Sequence, residues 1–200
     1  SDGVSAMQKL QMTTQQGENV GVCAIRGNFD DAQTGVKAIF TDPDVKEALR
    51  KNNMASSSAN SINWGRLVPQ IVYYFSAYAD MIASGQIKNG EKNNFTVPTG
   101  NFGNILAAYY AKEMGLPVNK LICASNANNV LTEFINTGRY NRVRQFHQTV
   151  SPSMDILVSS NLERLLFHLS GDNSEEIKTL FGQLSEKGEY TVSSDILEKI

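Results

Sequence analysis

Thr99-Gly100-Asn101-Phe102-Gly103-Asn104 follows the apolar run Phe95-Thr96-Val97-Pro98 and precedes a strongly helical run, Ile105 to Lys112. A strand that turns through glycines into a helix makes a ready anion site. The first helical N–H groups have no partner inside the helix and point at whatever lies beyond it. The turn is not a P-loop, because no Lys-Ser/Thr pair follows the second glycine. Nor do Gly100 and Gly103 fit the dinucleotide fingerprint Gly-x-Gly-x-x-Gly. A Thr hydroxyl and two Asn amides flank the glycines and add neutral donors, which suits a phosphate held without a metal. The plainer reading, in which the glycines only turn the chain, stays open at this point.

Outward from the turn the pattern alternates. A strand at Lys120-Leu121-Ile122-Cys123-Ala124 follows the stop signals Gly115 and Pro117. A helix at Val130-Ile135 comes next, with Gly138 as its stop. Strand, helix, strand and helix with short connections predict an α/β fold with parallel strands. The loops at the strand C-terminal ends are then the expected ligand edge.

Upstream, Val4 to Gln16 reads as a helix, and the continuous apolar run Val20 to Ile25 as a strand covered on both faces. Asp30 or Asp31 is a candidate cap for a helix through Val36 and Ile39. Asp42-Pro43 is an N-cap followed by Pro in the first turn of a helix to Lys51. The polar stretch Asn52 to Asn60 is a linker or a site loop. The longest helix spans Ile62 to Ser84. Leu67, Ile71, Phe75 and Tyr78 form a face that, with Val68, Val72 and Ala79 beside it, predicts a well-buried helix. Pro69 falls in its first two turns, where a missing N–H costs least.

Downstream, Arg139 to Ser153 carries no clear element and Met154 to Val158 reads as a short strand. Asn161 to Ser170 and Ser174 to Leu184 read as amphipathic helices, the second capped by Asp172 or Ser174. Tyr190 to Val192 is strand-like, and a last helix starts at Ser194-Asp195 and is still running at Ile200.

Composition narrows the function. Of 200 residues 41% are hydrophobic and 19% charged, enough for a packed core and too apolar for disorder. A net charge of −2 favours neither nucleic acid nor an anionic membrane. No apolar stretch reaches the ~18 residues that span a bilayer. Ser1-Asp2-Gly3-Val4 lacks the features of a signal peptide. Cys23 and Cys123 each sit in a strand-like apolar run and read as buried reduced thiols, which fits a cytoplasmic protein. Two histidines and two scattered cysteines make no metal cluster. His168, in Leu166-Phe167-His168-Leu169, reads as a packing or surface residue.

A second polar constellation opens the long helix: Asn60-Ser61-Ile62-Asn63-Trp64-Gly65-Arg66. Asn60 or Ser61 is its candidate N-cap. Asn63 and Arg66 are spaced to share a helix face, and Arg suits bidentate binding of carboxylate or phosphate. Ser125-Asn126 with Asn128-Asn129 ends a strand, where the amides reach a ligand or cap the next helix. No paired carboxylates or Ser/His/Asp spacing stands out.

These residues together resemble threonine synthase. The likeness is carried by Asn60 to Arg66 with Gln70-Ile71-Val72-Tyr73-Tyr74-Phe75, and by Val97-Pro98 with the turn Thr99 to Asn104. It continues in Val4 to Thr13, Gly27 to Asp31, Cys123 to Asn126 and Ser151 to Leu157. The resemblance implies a fold type II pyridoxal-5′-phosphate enzyme, similar to the tryptophan synthase β subunit. Such an enzyme is a three-layer α/β structure with a mostly parallel sheet flanked by helices. It also implies a lyase that converts O-phosphohomoserine and water into threonine and phosphate, with the cofactor as electron sink. By the family pattern Thr99, Gly100, Asn101, Phe102, Gly103 and Asn104 bind the cofactor, and Asn60, Ser61, Asn63 and Arg66 bind substrate.

Residues 1–55 are then expected to belong to a smaller lobe and residues 56–200 to a larger cofactor-binding lobe. The family's Schiff-base Lys, in a Phe-Lys-Asp type setting, has no match in this chain. The chain therefore looks like a central portion incomplete at both ends, and inactive alone. A sheet without its flanking strands leaves edges open to self-association. Other expected readings are a serine or threonine dehydratase of the same fold, against which Asn60 to Arg66 argues, and a non-catalytic phosphate-binding domain.

Overall fold

A computed structural model describes residues 5–27 and 29–200. The chain divides into two compact units, Ser1–Ser57 and Ser58–Ile200.

Among its described residues the first unit holds three helices: α1 (Ala6–Thr13), α2 (Phe29–Thr41) and α3 (Pro43–Lys51). The expected start at Val4 lies outside the described residues. The first helix ends at Thr13 and not Gln16. There Thr13 and Thr14 turn their hydroxyls back onto the carbonyls of Lys9 and Leu10, which competes with continued helix. Since α2 opens at Phe29, Asp30 and Asp31 fall inside its first turn rather than at its cap. Asp42 caps α3 as expected, its carboxylate accepting from the N–H groups of Asp44 and Val45 at 2.8 and 3.1 Å. Val20 to Ile25 is a correction, because it is irregular and exposed. A strand exists only by pairing, and no ladder involves this run among the described residues. Cys23 is consequently exposed, not buried.

The second unit carries, in order, α4 (Trp64–Ala83), β1 (Asn93–Pro98), α5 (Gly103–Glu113), β2 (Val118–Ala124), α6 (Val130–Thr137), β3 (Arg139–Asn141), α7 (Leu162–Leu169), α8 (Ser174–Lys187), β4 (Glu189–Thr191) and α9 (Ser194–Leu197). The strands β1 and β2 pair in parallel, with Val97 opposite Cys123 and Pro98 opposite Ala124. The connection through α5 makes a βαβ unit, as the alternating pattern predicts. Small and apolar residues let α5 sit deep: Ile105, Leu106, Ala107, Ala108 and Ala111 are all buried. Burial also pushes the Cys123 thiol up to about 11, so it stays protonated and inert at neutral pH.

The long helix α4 packs on α5 along one seam only. Leu67, Tyr74 and Tyr78 are buried, whereas Phe75 is 37% exposed and Val72 is 62% exposed. The well-buried broad face is thus corrected to a narrow one, rotated so that Tyr74 replaces Phe75. The Tyr74 hydroxyl has a polar partner in the core that Phe75 lacks any need of. The cap is likewise moved: Asn63, not Asn60 or Ser61, is the N-cap, accepting from Gly65 N–H at 3.0 Å.

Met154 to Val158 is not a strand. A 3₁₀ turn at Pro152–Met154 leads into irregular chain organised around Asp155. The antiparallel pair β3–β4 replaces it as the unit's second sheet, with Tyr140 stacked on Tyr190 at 5.3 Å and 8°. Its register joins residues about fifty apart, Arg139 to Thr191. Asn173, rather than Asp172 or Ser174, caps α8. The last helix, α9, ends at Leu197 ahead of the terminus.

Candidate active site at the strand–helix turn

Residues 99–104 leave the C-terminal end of β1 next to that of β2, and Thr99 N–H donates to the Ala124 carbonyl at 2.8 Å. The turn is tight. Gly100 has φ +72°, and an added Cβ would lie 3.3 Å from the Ser153 carbonyl oxygen. Phe102, a non-glycine residue, takes the left-handed region at φ 65° and anchors it with a ring that is 5% exposed.

The polar groups of the turn fall into two sets. The carbonyls are tied to the segment before α7. Gly100 O accepts from Ser159 Oγ at 2.9 Å, and Asn101 O accepts from both the N–H and the Nδ2 of Asn161 at 3.0 Å. The N–H groups are treated differently. Gly103 N–H donates to Asn101 Oδ1 at 3.1 Å, and Leu106 N–H makes the first intrahelical bond, to Phe102 O. Between them, the N–H groups of Asn104 and Ile105 meet no acceptor among the described residues. The result is a pair of adjacent open donors at the positive end of an eleven-residue helix.

Two of the four expected substrate residues are brought to this turn. Asn101 Nδ2 donates to Asn60 Oδ1 at 2.8 Å, and Ser61 Oγ donates to Asn101 Oδ1 at 3.1 Å. The other two are occupied within their own loop. Asn63 caps α4 and sends Nδ2 to Ser58 O at 2.9 Å, while Arg66 Nε donates to Ala59 O at 3.2 Å. Asn104 turns its side chain to α4, where Nδ2 meets Gln70 Oε1 at 3.1 Å and Oδ1 accepts from Tyr74 Oη at 2.7 Å.

Arg164 closes the network. Its Nη1 donates to Asn161 Oδ1 at 2.7 Å and to Ser61 O at 3.0 Å, and its Nη2 reaches Ile62 O at 2.5 Å. Asn161 is fully buried. The pair therefore bolts residues 60–62 to the turn. Sequence reading missed Gln70, Tyr74, Ser159, Asn161 and Arg164. Asn161 precedes an amphipathic run and reads as an ordinary helix cap, yet its side chain makes no cap bond.

Among the described residues no carboxylate or imidazole hydrogen-bonds to residues 99–104. His168 lies on an exposed face of α7, with Tyr110 Oη 2.9 Å from its Nε2 and Asp172 Oδ1 3.2 Å from its Nδ1. Among the described residues no His/Cys/Asp/Glu group is placed to hold a metal, and no helix is long and apolar enough to cross a membrane. The arrangement can grip a tetrahedral anion and fix its orientation, but holds no acid or base of its own.

Burial pushes the Tyr74 phenol from its ordinary value up to about 12. The unfolded chain releases that proton first, so stability is full below a pH of about 10 and is lost as the pH rises toward about 12. Tyr74→Phe should remove that part of the alkaline loss. Denaturation midpoints of both proteins at pH values of about 9 and about 12 check it.

No protein-family model matches the chain. It is 48% identical over 201 residues to threonine synthase-like 1 of Macaca fascicularis, covering 100% of this chain and 27% of that protein. It is 42% identical over 204 residues to threonine synthase of Saccharomyces cerevisiae, covering 98% of this chain and 38% of the yeast enzyme. The crystal structure of pyridoxal-phosphate-bound threonine synthase from Brucella melitensis superposes with a TM-score of 0.81 at 44% identity, over 98% of this chain and 40% of that one. The chain thus spans between about a quarter and two fifths of the length of these relatives. Identity at this level along nearly its whole length, with a matching fold type II α/β architecture, makes the chain homologous to a portion of threonine synthase.

Proposed function

We propose that the protein is a pyridoxal-phosphate-dependent lyase that converts O-phosphohomoserine and water into threonine and phosphate. The observation that carries this reading is the 99–104 turn, where the N–H groups of Asn104 and Ile105 meet no acceptor among the described residues and Gly100 and Gly103 let the chain pass close to Ser153 and Ser61. The residues fit the cofactor's phosphate: neutral donors, a helix N-terminus and no competing carboxylate. When bound, pyridoxal phosphate supplies an electron sink for carbanions beside its imine carbon.

This chain's own part is to bind and orient. Gly100 to Gly103 turn the backbone, Asn104 and Ile105 donate to phosphate oxygens, and Phe102 packs beneath. Thr99 completes the set with its hydroxyl. Asn60 and Ser61, held beside Asn101, are assigned to substrate. So are Asn63 and Arg66, on the strength of the resemblance alone. Residues 1–55 are assigned to a smaller lobe and residues 56–200 to the larger cofactor lobe. Two free cysteines support a cytoplasmic setting. The open edges of β1 and β2 are assigned to further strands or to a second copy.

The test uses the full-length protein. Loaded with pyridoxal phosphate and given O-phosphohomoserine, it should release phosphate and threonine in equal amounts. Phosphate without threonine would overturn the reaction. A protein that takes up no cofactor would overturn the whole reading.

A further inference from the structure

The β2–α6 loop and the chain between β3 and α7 contain no strand or α-helix, yet both sit at the C-terminal ends of the parallel strands. One buried group joins them. Asp155 is 6% exposed. Its Oδ1 accepts from Asn126 Nδ2 at 2.6 Å, Asn128 Nδ2 at 3.1 Å and Thr149 Oγ1 at 2.7 Å. Its Oδ2 accepts from Thr149 N–H at 2.8 Å. All four donors are neutral, and Asp155 makes no ion pair among the described residues.

A carboxylate taken out of water without a cation is a poor source of stability, since an apolar group of similar size fills such a site at less cost. A fully bonded polar network does something packing does not: it admits one arrangement and rejects near neighbours. The arrangement fixed here bears on the phosphate turn. Asn126 Oδ1 accepts from Asn128 N–H at 2.9 Å, which folds the loop leaving β2. Asn128 then bonds both the carbonyl and the N–H of His147, at 2.8 and 2.9 Å. On the other side, Ser153, two residues before Asp155, rests its carbonyl where a Gly100 side chain would begin. Four residues beyond Asp155, Ser159 donates to Gly100 O.

We propose that Asp155 is a positioning residue of the ligand edge. Its carboxylate gathers Asn126, Asn128 and Thr149 so that residues 153–159 form a fixed back wall against Gly100. The wall holds the turn's carbonyls away from the anion and its N–H groups toward it. The two Asn residues that end β2 are therefore spent on Asp155, neither capping α6 nor reaching a ligand. The proposal deepens the reading of residues 99–104 as a phosphate cradle and rests on it for its consequence, though the wall itself is tested without any ligand.

The experiment compares Asp155→Asn with the swapped pair Asn126→Asp/Asp155→Asn in the full-length protein. Amide hydrogen exchange reports the turn directly. In Asp155→Asn the hydrogen-bonded amides at the turn, Gly103 and Leu106, should exchange about tenfold faster, with those of α8 unchanged. The dissociation constant for pyridoxal phosphate should rise about tenfold in parallel. The swapped pair restores an amide–carboxylate contact and should recover most of both changes. Unchanged exchange at Gly103 and Leu106 overturns the proposal. So does equal acceleration in α8, which marks plain loss of stability, and so does a swap that restores the folding midpoint but not the turn. If wild-type protein binds no pyridoxal phosphate while Asp155→Asn still loosens the turn, the cofactor reading falls and the positioning role stands.

Discussion

Gly103→Ala should destabilise the protein by about 3 kcal/mol and remove most of its affinity for phosphate. The cost does not come from the backbone, because Gly103 opens a right-handed helix at an ordinary φ. It comes from a neighbour. A Cβ at this position would lie 2.0 Å from Ser61 Oγ and 2.6 Å from Ser61 Cβ. Ser61 cannot retreat by a rotamer change, since its own Cβ is already too close. It is 8% exposed, and its hydroxyl and carbonyl are held by Asn101 and Arg164. The backbone of residues 60–62 or the first turn of α5 must move instead, and either motion opens the donor set around Asn104 and Ile105.

Two measurements separate these effects. The denaturation midpoint of Gly103→Ala reports the clash. Binding of pyridoxal phosphate reports the turn. Removing the obstacle with Ser61→Gly in the same chain should recover most of the stability and part of the binding, the remainder being the lost Ser61 hydroxyl. Ser61→Ala should rescue little, because its Cβ remains at 2.6 Å. A Gly103→Ala protein with wild-type stability and affinity would refute the close packing of these two segments.

The parts legible in the sequence share one property: their chemistry is contiguous. Asp42-Pro43 needs only the next three residues to act as a cap. The run from Phe95 to Lys112 declares strand, turn and helix through residues that touch one another along the chain. The parallel pairing of β1 and β2 then follows, since a crossover helix leaves few other arrangements. What was illegible depends on distant partners. Val20 to Ile25 has strand composition and no strand to pair with. The choice of Tyr74 over Phe75 on α4 was set by Asn104, thirty residues away. The β3–β4 pair was hidden for the same reason, because Arg139 to Asn141 carries no alternation of its own and gains its meaning from Tyr190. The site divides in the same way. The donors of the turn were readable, whereas the residues that aim them, Ser159, Asn161 and Arg164, lie some sixty positions downstream in stretches that look like an ordinary helix start.

Asn161 is where that hidden support is most exposed to test. Asn161→Leu keeps the volume and the backbone N–H to Asn101 O but deletes the amide. Arg164 then loses one charged hydrogen bond, and Asn101 O and Ser61 Oγ each lose a donor beside a fully buried position. The expected loss is about 2–3 kcal/mol of stability. Asn161→Asp makes the sharper comparison. A carboxylate still accepts from Arg164 Nη1 and strengthens that contact. It no longer donates to Asn101 O, and it sets two acceptors against each other beneath the turn. If Asn161 serves stability alone, the Asp variant should be the milder of the two in both folding and binding. If its amide aims the turn, Asp should retain more stability than Leu and yet bind pyridoxal phosphate no better. The second ordering is the one expected, because the bond from Nδ2 to Asn101 O fixes the carbonyl whose rotation would swing the neighbouring N–H groups out of the cradle.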